Sequence, residues 1–371
     1  VLAATGAAPR HHRLVRRWLR VLEREGVIAG DGDGDGFRAL RVIEAADLAR
    51  AWQEVEELQR EDSYKAVLID YFKESTERLP ELLRDELDPL PLLFPEGRLE
   101  ISEAAYRENI ISRYVNHAAI AVLRGIAARH DGPLRVIEVG AGVGGTSAQM
   151  IPALAEFDVD YLFTDVSPFF LNEARERFGE RPWVRYGLFD INEDYREQGY
   201  APNDFDVVLC ANVLHNSRHA GRVLAGLREM LRPGGWLVFI ETTKDSYQIM
   251  TSMEFMMPEK DPRKWDYEDL RKGRDQTFLD REEWLGLLTG AGADTTLCLP
   301  GPDDVTGPLG QNVFAARFKS DRARLGVAGL AEHLADRLPE YMIPSHTQVV
   351  DALPLTGNGK VDHATLRSWL P

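Results

Sequence analysis

The sequence predicts an α/β protein built on a mostly parallel sheet with helical crossovers. Three observations carry that prediction. From residue 133 onward, short apolar runs alternate with segments of helical spacing, the mark of a parallel sheet. The runs end in turns rich in Gly, Asp and Asn, residues that lead a chain out of a strand. The last two runs, 294–299 and 311–318, are joined by a Gly/Pro-rich loop and read as a hairpin that closes the sheet with one antiparallel strand.

Taken in order, residues 10–28 have helical spacing, with Leu14, Val15, Trp18, Leu19, Val21 and Leu22 on one side and arginines elsewhere. A Gly-Asp repeat at 30–36 follows, then a strand-like run from Phe37 to Val42. The repeat lacks the terminal bidentate acid of a calcium loop, so it reads as a turn between two strands. Helical patterns fill 45–60, 65–87 and 103–130, making the first third mostly helical. Strands are expected at 134–139, 159–164, 183–189, 205–211 and 235–241. Helices are expected at 145–155, 168–178, 217–231 and 280–290. An Arg-rich stretch at 320–329 reads as a linker, and a third unit opens with a helix at 328–338. The expected domains are a helical N-terminal region (1–130), the sheet core (131–319) and a small C-terminal unit (320–371).

Composition narrows the classes. The 371 residues are 44% hydrophobic and 28% charged, as in ordinary globular proteins. A net charge of −16 argues against nucleic acid as a partner, which calls for a basic patch. Cys210 and Cys298 sit in apolar runs and read as buried thiols of a reducing compartment, so a cytoplasmic location is expected. No apolar run approaches a membrane span, and no Cys/His cluster has metal-ligand spacing, so neither membrane nor metal is expected. The start at Val1 and the end at Pro371 read as a monomeric segment excised from something longer.

The ligand-binding residues cluster at strand ends. Val136 to Thr146 reads Val-Ile-Glu-Val-Gly-Ala-Gly-Val-Gly-Gly-Thr, a strand running into a glycine-rich turn and a helix. Gly140, Gly142 and Gly144 would let backbone approach a ligand closely, which fits a dinucleotide as well as S-adenosyl-L-methionine (SAM). Two acids shift the balance toward SAM. Glu138 would face its cationic amino-acid end and would repel a pyrophosphate. Asp165, about 20 residues beyond the glycines, suits ribose hydroxyls. Asp190 would accept from the adenine amino group while Ile191 packs on the ring. The plainer alternative is that these acids are solvated strand-end caps.

The order of these pieces, with Phe-Thr-Asp-Val-Ser at 163–167 and Ala-Asn-Val-Leu-His at 211–215, resembles a class I SAM-dependent methyltransferase over roughly 130–319. It is similar in wording to the C-methyltransferase domains of polyketide synthases and to methyltransferases embedded in nonribosomal peptide synthetases. That resemblance implies a Rossmann-like seven-stranded sheet, a helical N-terminal lid, SAM as cofactor, and Asn212 among the cofactor-binding residues. A lid helix that roofs the site would carry Tyr114 and His117, with Tyr114 as a pocket residue.

His215 and Glu241 follow the fourth and fifth strands, so neighbouring strands would bring both side chains to one sheet edge. Methylating carbon beside a thioester needs a general base, here His215, and a carboxylate to fix its tautomer, here Glu241. The resemblance supports that pair; alternatively His215 only caps the next helix, a task open to Asn216 and Ser217 as well. His219 reads as a surface residue. Met250, Met253, Met256 and Met257 recur at helical spacing beside Phe255 and read as core, with a wall for a bulky acyl group as the alternative.

Leu-Pro-Glu-Tyr-Met-Ile-Pro at 338–344 and Leu-Pro-Leu-Thr-Gly-Asn-Gly-Lys-Val-Asp at 353–362 resemble the last two signatures of an adenylation domain, with His363 where arginine is usual. The chain thus resembles a methyltransferase set into an adenylation small lobe, as in pyochelin- and yersiniabactin-type siderophore assembly lines. Lys360 would have no nucleotide to act on without the large lobe. The implied partners are a phosphopantetheinyl carrier protein with its acyl thioester and the remaining adenylation lobe. The expected activity is C-methylation of a carrier-bound aminoacyl or thiazolinyl thioester. N-methylation, epimerisation of the same carbon and a non-catalytic scaffold stand as alternatives.

Overall fold

The computed structural model describes residues 2–31, 36–58, 65–257 and 266–319, and beyond them 330, 334–335, 338–348, 350, 353–354, 356 and 360–369. The middle of the expected 30–36 turn, the expected 320–329 linker, most of the expected 328–338 helix and Gly357 to Gly359 lie outside the described residues. The chain divides into two compact units, Val1–Ser320 and Asp321–Pro371. No described helix is long and apolar enough to cross a membrane.

In the first unit a small antiparallel pair, β1 (Ile28–Gly30) and β2 (Phe37–Ala39), precedes the main sheet. The main strands are β3 (Leu134–Val139), β4 (Val159–Asp165), β5 (Val184–Leu188), β6 (Phe205–Ala211), β7 (Leu231–Thr242), β8 (Ala293–Leu299) and β9 (Gln311–Phe318). They pair in the order β5-β4-β3-β6-β7-β9-β8. Strands β3 to β7 run parallel, whereas β9 is antiparallel to both its neighbours. This is the mostly parallel seven-stranded sheet expected from the sequence.

The strand sequences explain why both faces are covered. β3 and β6 are buried almost throughout, as strands flanked by crossover helices must be. Alternate side chains serve two cores. Ile137, Val208, Leu237 and Phe239 pack with the helices Ala220–Met230 and Arg281–Gly290. Val136, Val207, Val238 and Ile240 pack with the helices Ile110–Ala127, Ser147–Leu154 and Pro168–Phe178. Helix Arg281–Gly290 begins with a reciprocal cap: Asp280 accepts from the Glu283 N–H at 2.8 Å while Glu283 accepts from the Asp280 N–H at 2.9 Å.

A third core joins the N-terminal helices to the segment after β7, with Leu14, Leu68, Tyr71 and Leu82 against Met250, Met253 and Phe255. Two helices predicted as continuous are broken. The 65–87 pattern gives Ala66–Glu77 and Leu79–Leu83, separated at Arg78 just before Pro80. The 103–130 pattern breaks at Asn109, whose side chain caps Ile110–Ala127 by accepting from the Ser112 N–H at 2.9 Å.

In the second unit, Glu340–Met342 forms one 3-10 turn. Asp362 caps the helix His363–Ser368, accepting from the Ala364 and Thr365 N–H groups at 3.0 and 3.1 Å. Thr356 N–H donates to the Lys360 carbonyl at 2.7 Å.

Candidate active site

The sheet order reverses at β3, with β4 on one side and β6 on the other, and ligands of such sheets bind beyond the strand ends at that point. Here a cavity of about 500 Å³ opens, lined by Gly140, Asp165, Asp190, Ile191, Asn212 and Val213 from the strand ends. Arg10 and Asp88 to Leu90 from the N-terminal helical region line it as well, with Phe255, Met256 and Met257.

Backbone conformation shapes this cavity. Gly140 has φ +63°, and a β-carbon there would stand 2.3 Å from Val213 Cγ2, so only glycine lets the β3 turn pass the β6 turn. Asn212 also has positive φ, +53°, and its N–H donates to the Ile240 carbonyl at 2.8 Å, holding the β6 turn against β7. Asp165 accepts from the Gly142 N–H at 2.9 Å and the Ser167 N–H at 2.8 Å. Burial raises its pKa, and those backbone donors oppose the rise. Asp190 accepts from the Asn192 N–H at 2.8 Å, which turns the chain after β5.

A second cavity, about 120 Å³, meets the first at Asn212 and Met257, which line both. His215 faces it, with Tyr106, Thr242, Met253 and Gln311 around it. Glu241, fully buried near the end of β7, receives His215 Nδ1 at 2.8 Å and the His215 backbone N–H at 3.2 Å. Nδ1 is thereby engaged and Nε2 is the ring nitrogen left for a ligand. Phe278 packs edge-on to the imidazole, with centroids 5.4 Å apart. The Tyr106 hydroxyl donates to Met253 Sδ at 3.8 Å. Burial raises the Tyr106 pKa, and the Glu241 charge adds to the rise.

Four residues predicted to bind the cofactor line neither cavity: Tyr114, Glu138, Gly142 and Gly144. Tyr114 is 36% exposed and lines neither cavity. Helix Ile110–Ala127 buries Val115, Asn116, Ala119, Leu123 and Ala127, and one residue from Val115 is about 100° around the helix, toward solvent. His117 is exposed on that helix for the same reason, and only Ile111 and Ser112 at the helix start reach the second cavity. Glu138 lines neither cavity, since its carboxyl is fully buried and accepts from Ser147 Oγ at 2.5 Å and Tyr161 OH at 2.7 Å. Its Oε1 has no partner among the described residues, and burial pushes its pKa up to about 7. On a strand covered on both faces, its side chain points into a core, under the turn that an approaching ligand would meet.

Gly140 alone of the three glycines borders the first cavity; Gly142 and Gly144 border a separate cleft with Glu103 and Phe170. His219 caps helix Ala220–Met230 through Nδ1, so that task does not fall to His215. Met253 and Met257 do form cavity wall, while Met250 is core. Tyr106, Gln311 and Arg271 escaped the sequence reading. Tyr106 lies outside every strand-end motif, Gln311 starts an expected strand and does not end one, and Arg271 sits in a charged stretch between β7 and β8.

The family model described as "Methyltransferase domain" matches residues 137–237. The chain is 37% identical over 370 residues to pyochelin synthetase PchF of Pseudomonas aeruginosa, which spans 98% of this chain and 20% of that protein. It is 33% identical over 339 residues to polyketide synthase ThaG of Burkholderia thailandensis, covering 87% of this chain and 6% of that protein. Among solved structures, the CurJ carbon methyltransferase superposes with a TM-score of 0.75 at 26% identity, over 85% of this chain and 82% of that one. The DszA carbon methyltransferase gives 0.74 at 26% identity, over 86% and 81%.

Proposed function

From the premise that the chain is a methyltransferase domain of the class I fold, homologous to segments of polyketide and nonribosomal peptide synthetases, we propose that it methylates carbon. The substrate we assign is a carrier-tethered aminoacyl or thiazolinyl thioester, methylated at its α-carbon with SAM as donor. The observation that carries this reading is a buried His–Glu pair facing a cavity that shares Asn212 and Met257 with a second, nucleoside-sized one.

The first cavity suits SAM. Its volume lies within the range of small-molecule sites. Asp165 would receive the ribose hydroxyls, Asp190 the adenine amino group, and Ile191 the face of the ring. Gly140 and Asn212 would border the amino-acid end, next to the second cavity. Bound there, SAM supplies an electrophilic methyl group.

The second cavity suits the acyl group. Its Met253, Met257, Leu68, Phe72 and Ile249 wall accepts apolar chains, and Gln311, Thr242 and Lys244 give polar contacts opposite. His215 Nε2 takes the proton from the α-carbon, and Glu241 stabilises the imidazolium through Nδ1–H. His215 would then pass that proton to solvent; SAM, when bound in the first cavity, would supply the methyl that takes the hydrogen's place on carbon, leaving S-adenosylhomocysteine. Amine methylation needs no such base, so the pair speaks for carbon. The carrier protein would deliver the thioester on its phosphopantetheine arm. The motifs at 338–344 and 353–362 support reading the C-terminal unit as part of an adenylation small lobe.

The test is intact mass of a carrier protein bearing a cysteine-derived thiazolinyl thioester, after incubation with the chain and SAM in deuterated water. One added methyl, located on carbon by fragmentation and abolished by His215→Ala, is the expected result. Deuterium uptake without methyl gain would assign the pair to epimerisation instead.

A further inference from the structure

The loop that carries His215 is held from a second side by a group the proposed chemistry does not use. Arg271, between β7 and β8, is fully buried. Its Nη1 donates to the His215 carbonyl at 2.8 Å and the Thr277 carbonyl at 3.2 Å. Its Nη2 donates to the Ser217 carbonyl at 2.7 Å and to Asp269 at 2.6 Å, and Nε donates to Asp269 at 3.0 Å. The guanidinium carbon lies 3.7 Å from the centroid of the Tyr267 ring.

We propose that Arg271 is a positioning residue for His215, fixing its backbone so that the imidazole meets Glu241 on one edge and the acyl cavity on the other. This rests on the reading of His215 as the base. Residues Leu214–Asn216 form a single 3-10 turn, a conformation with poor internal hydrogen bonding that does not hold itself. External partners hold it instead. The N–H of His215 donates to Glu241, and its carbonyl accepts from Arg271. Both backbone polar groups of one residue are thus tied to buried charged side chains from two separate parts of the chain.

Asp269 completes the bracket. Besides pairing with Arg271, it accepts from the Ala220 N–H at 2.8 Å, so the ion pair grips the loop at 215, 217 and 220. A buried ion pair is weak as a stabilising device, because desolvation offsets the attraction. Two of the Arg271 hydrogen bonds go to carbonyls of the His215–Ser217 turn and two fix the guanidinium on Asp269, an arrangement that makes sense as orientation. The bracket also reaches the N-terminal helices. Thr277, whose carbonyl Arg271 holds, donates its hydroxyl to Glu254 at 2.6 Å and accepts from Arg17 at 2.9 Å. Its neighbour Phe278 supports the imidazole.

The experiment is steady-state methyl transfer by Arg271→Ala in the full chain, on the thiazolinyl-loaded carrier, with and without guanidinium ion. S-adenosylhomocysteine affinity is measured by calorimetry on the same samples. Misplacing a reacting group by an ångström costs on the order of 100-fold. We expect kcat to fall by roughly that factor, with KM and nucleoside affinity held within about threefold, and guanidinium to restore part of the loss. A kcat within about threefold of the parent overturns the proposal, as does a loss carried wholly by KM or by nucleoside affinity. Should Arg271→Ala not fold, Asp269→Asn replaces it: a lower kcat at intact nucleoside affinity supports the bracket, and an unchanged kcat overturns it. His215→Ala run in parallel separates the two readings. Activity persisting there strikes the base itself, whereas an inactive His215→Ala beside a fully active Arg271→Ala strikes only the positioning role.

Discussion

Replacing Glu241 with Gln probes the dyad at the point where the structure predicts the largest effect. Each carboxylate oxygen receives one donor, Oε2 from His215 Nδ1 at 2.8 Å and Oε1 from the His215 backbone N–H at 3.2 Å. Glutamine has the same shape but one acceptor. If its oxygen keeps the backbone N–H, its NH₂ faces Nδ1, and the ring proton must move to Nε2. The nitrogen left for substrate is then protonated, and the base is gone. If its oxygen keeps Nδ1–H, its NH₂ opposes the backbone N–H in a fully buried site, at a cost of about 1–3 kcal/mol. Loss of tautomer control in another His–carboxylate pair lowers kcat by about 10⁴. At 1.36 kcal/mol per decade, that corresponds to ~5 kcal/mol of transition-state stabilisation. The assay is single-turnover methyl transfer at saturating SAM, followed by intact mass. Glu241 lines neither cavity, so S-adenosylhomocysteine affinity is expected to stay level. A Gln variant within about tenfold of the parent would refute the dyad reasoning, since one amide orientation protonates Nε2 and the other leaves the imidazolium without its carboxylate.

Two further outcomes follow from the glycine turn. The Glu138 carboxyl, raised to about 7 by burial against an ordinary value of 4.5, holds its proton more tightly folded than unfolded, so stability falls as pH rises from about 4.5 to about 7 and is level above. At 1.36 kcal/mol per pH unit the loss is of the order of 3 kcal/mol. Glu138→Gln keeps an acceptor for Ser147 and Tyr161, so its Tm should exceed the parent's increasingly across that window; parallel Tm–pH curves would contradict the assignment. Gly140→Ala combines positive φ, worth roughly 1–2 kcal/mol, with a contact against Val213 that must push the Asn212–Val213 turn aside. Calorimetry should show S-adenosylhomocysteine affinity at least about tenfold weaker, which is 1.4 kcal/mol, and unchanged affinity would show that the turn does not contact the nucleoside.

The main sheet was readable because each strand carries its own signal. β3, β6 and β9 fall at their expected bounds, since a strand buried on both faces is written as a mostly apolar run bounded by turn residues. The antiparallel β8–β9 hairpin followed from the Gly/Pro-rich loop between them. The N-terminal helices were less legible. Apolar periodicity continues through Arg78 and Asn109, whereas the breaks come from Pro80 and from a side-chain cap, both local events inside a longer pattern. Within the candidate site, the expected positions of His215, Glu241, Asp165 and Asn212 match the structure because they sit at strand ends, where chain order already implies spatial order. Tyr114 and Glu138 line neither cavity, because their positions depend on which way a helix or strand turns its face. Tyr106 and Arg271 carry no local mark at all.

The sequence by itself determined the strand positions and the glycine turn and marked His215 and Glu241 as candidates, because each is encoded within a few neighbouring positions. The tertiary structure alone decided three things: that the two cavities meet at Asn212 and Met257, that Glu138 is core, and that Arg271 grips the His215 loop from 56 residues away. The physical reason is separation along the chain. A buried charge or cavity wall takes its role from partners that folding brings together, and no short window of sequence contains both members of such a pair.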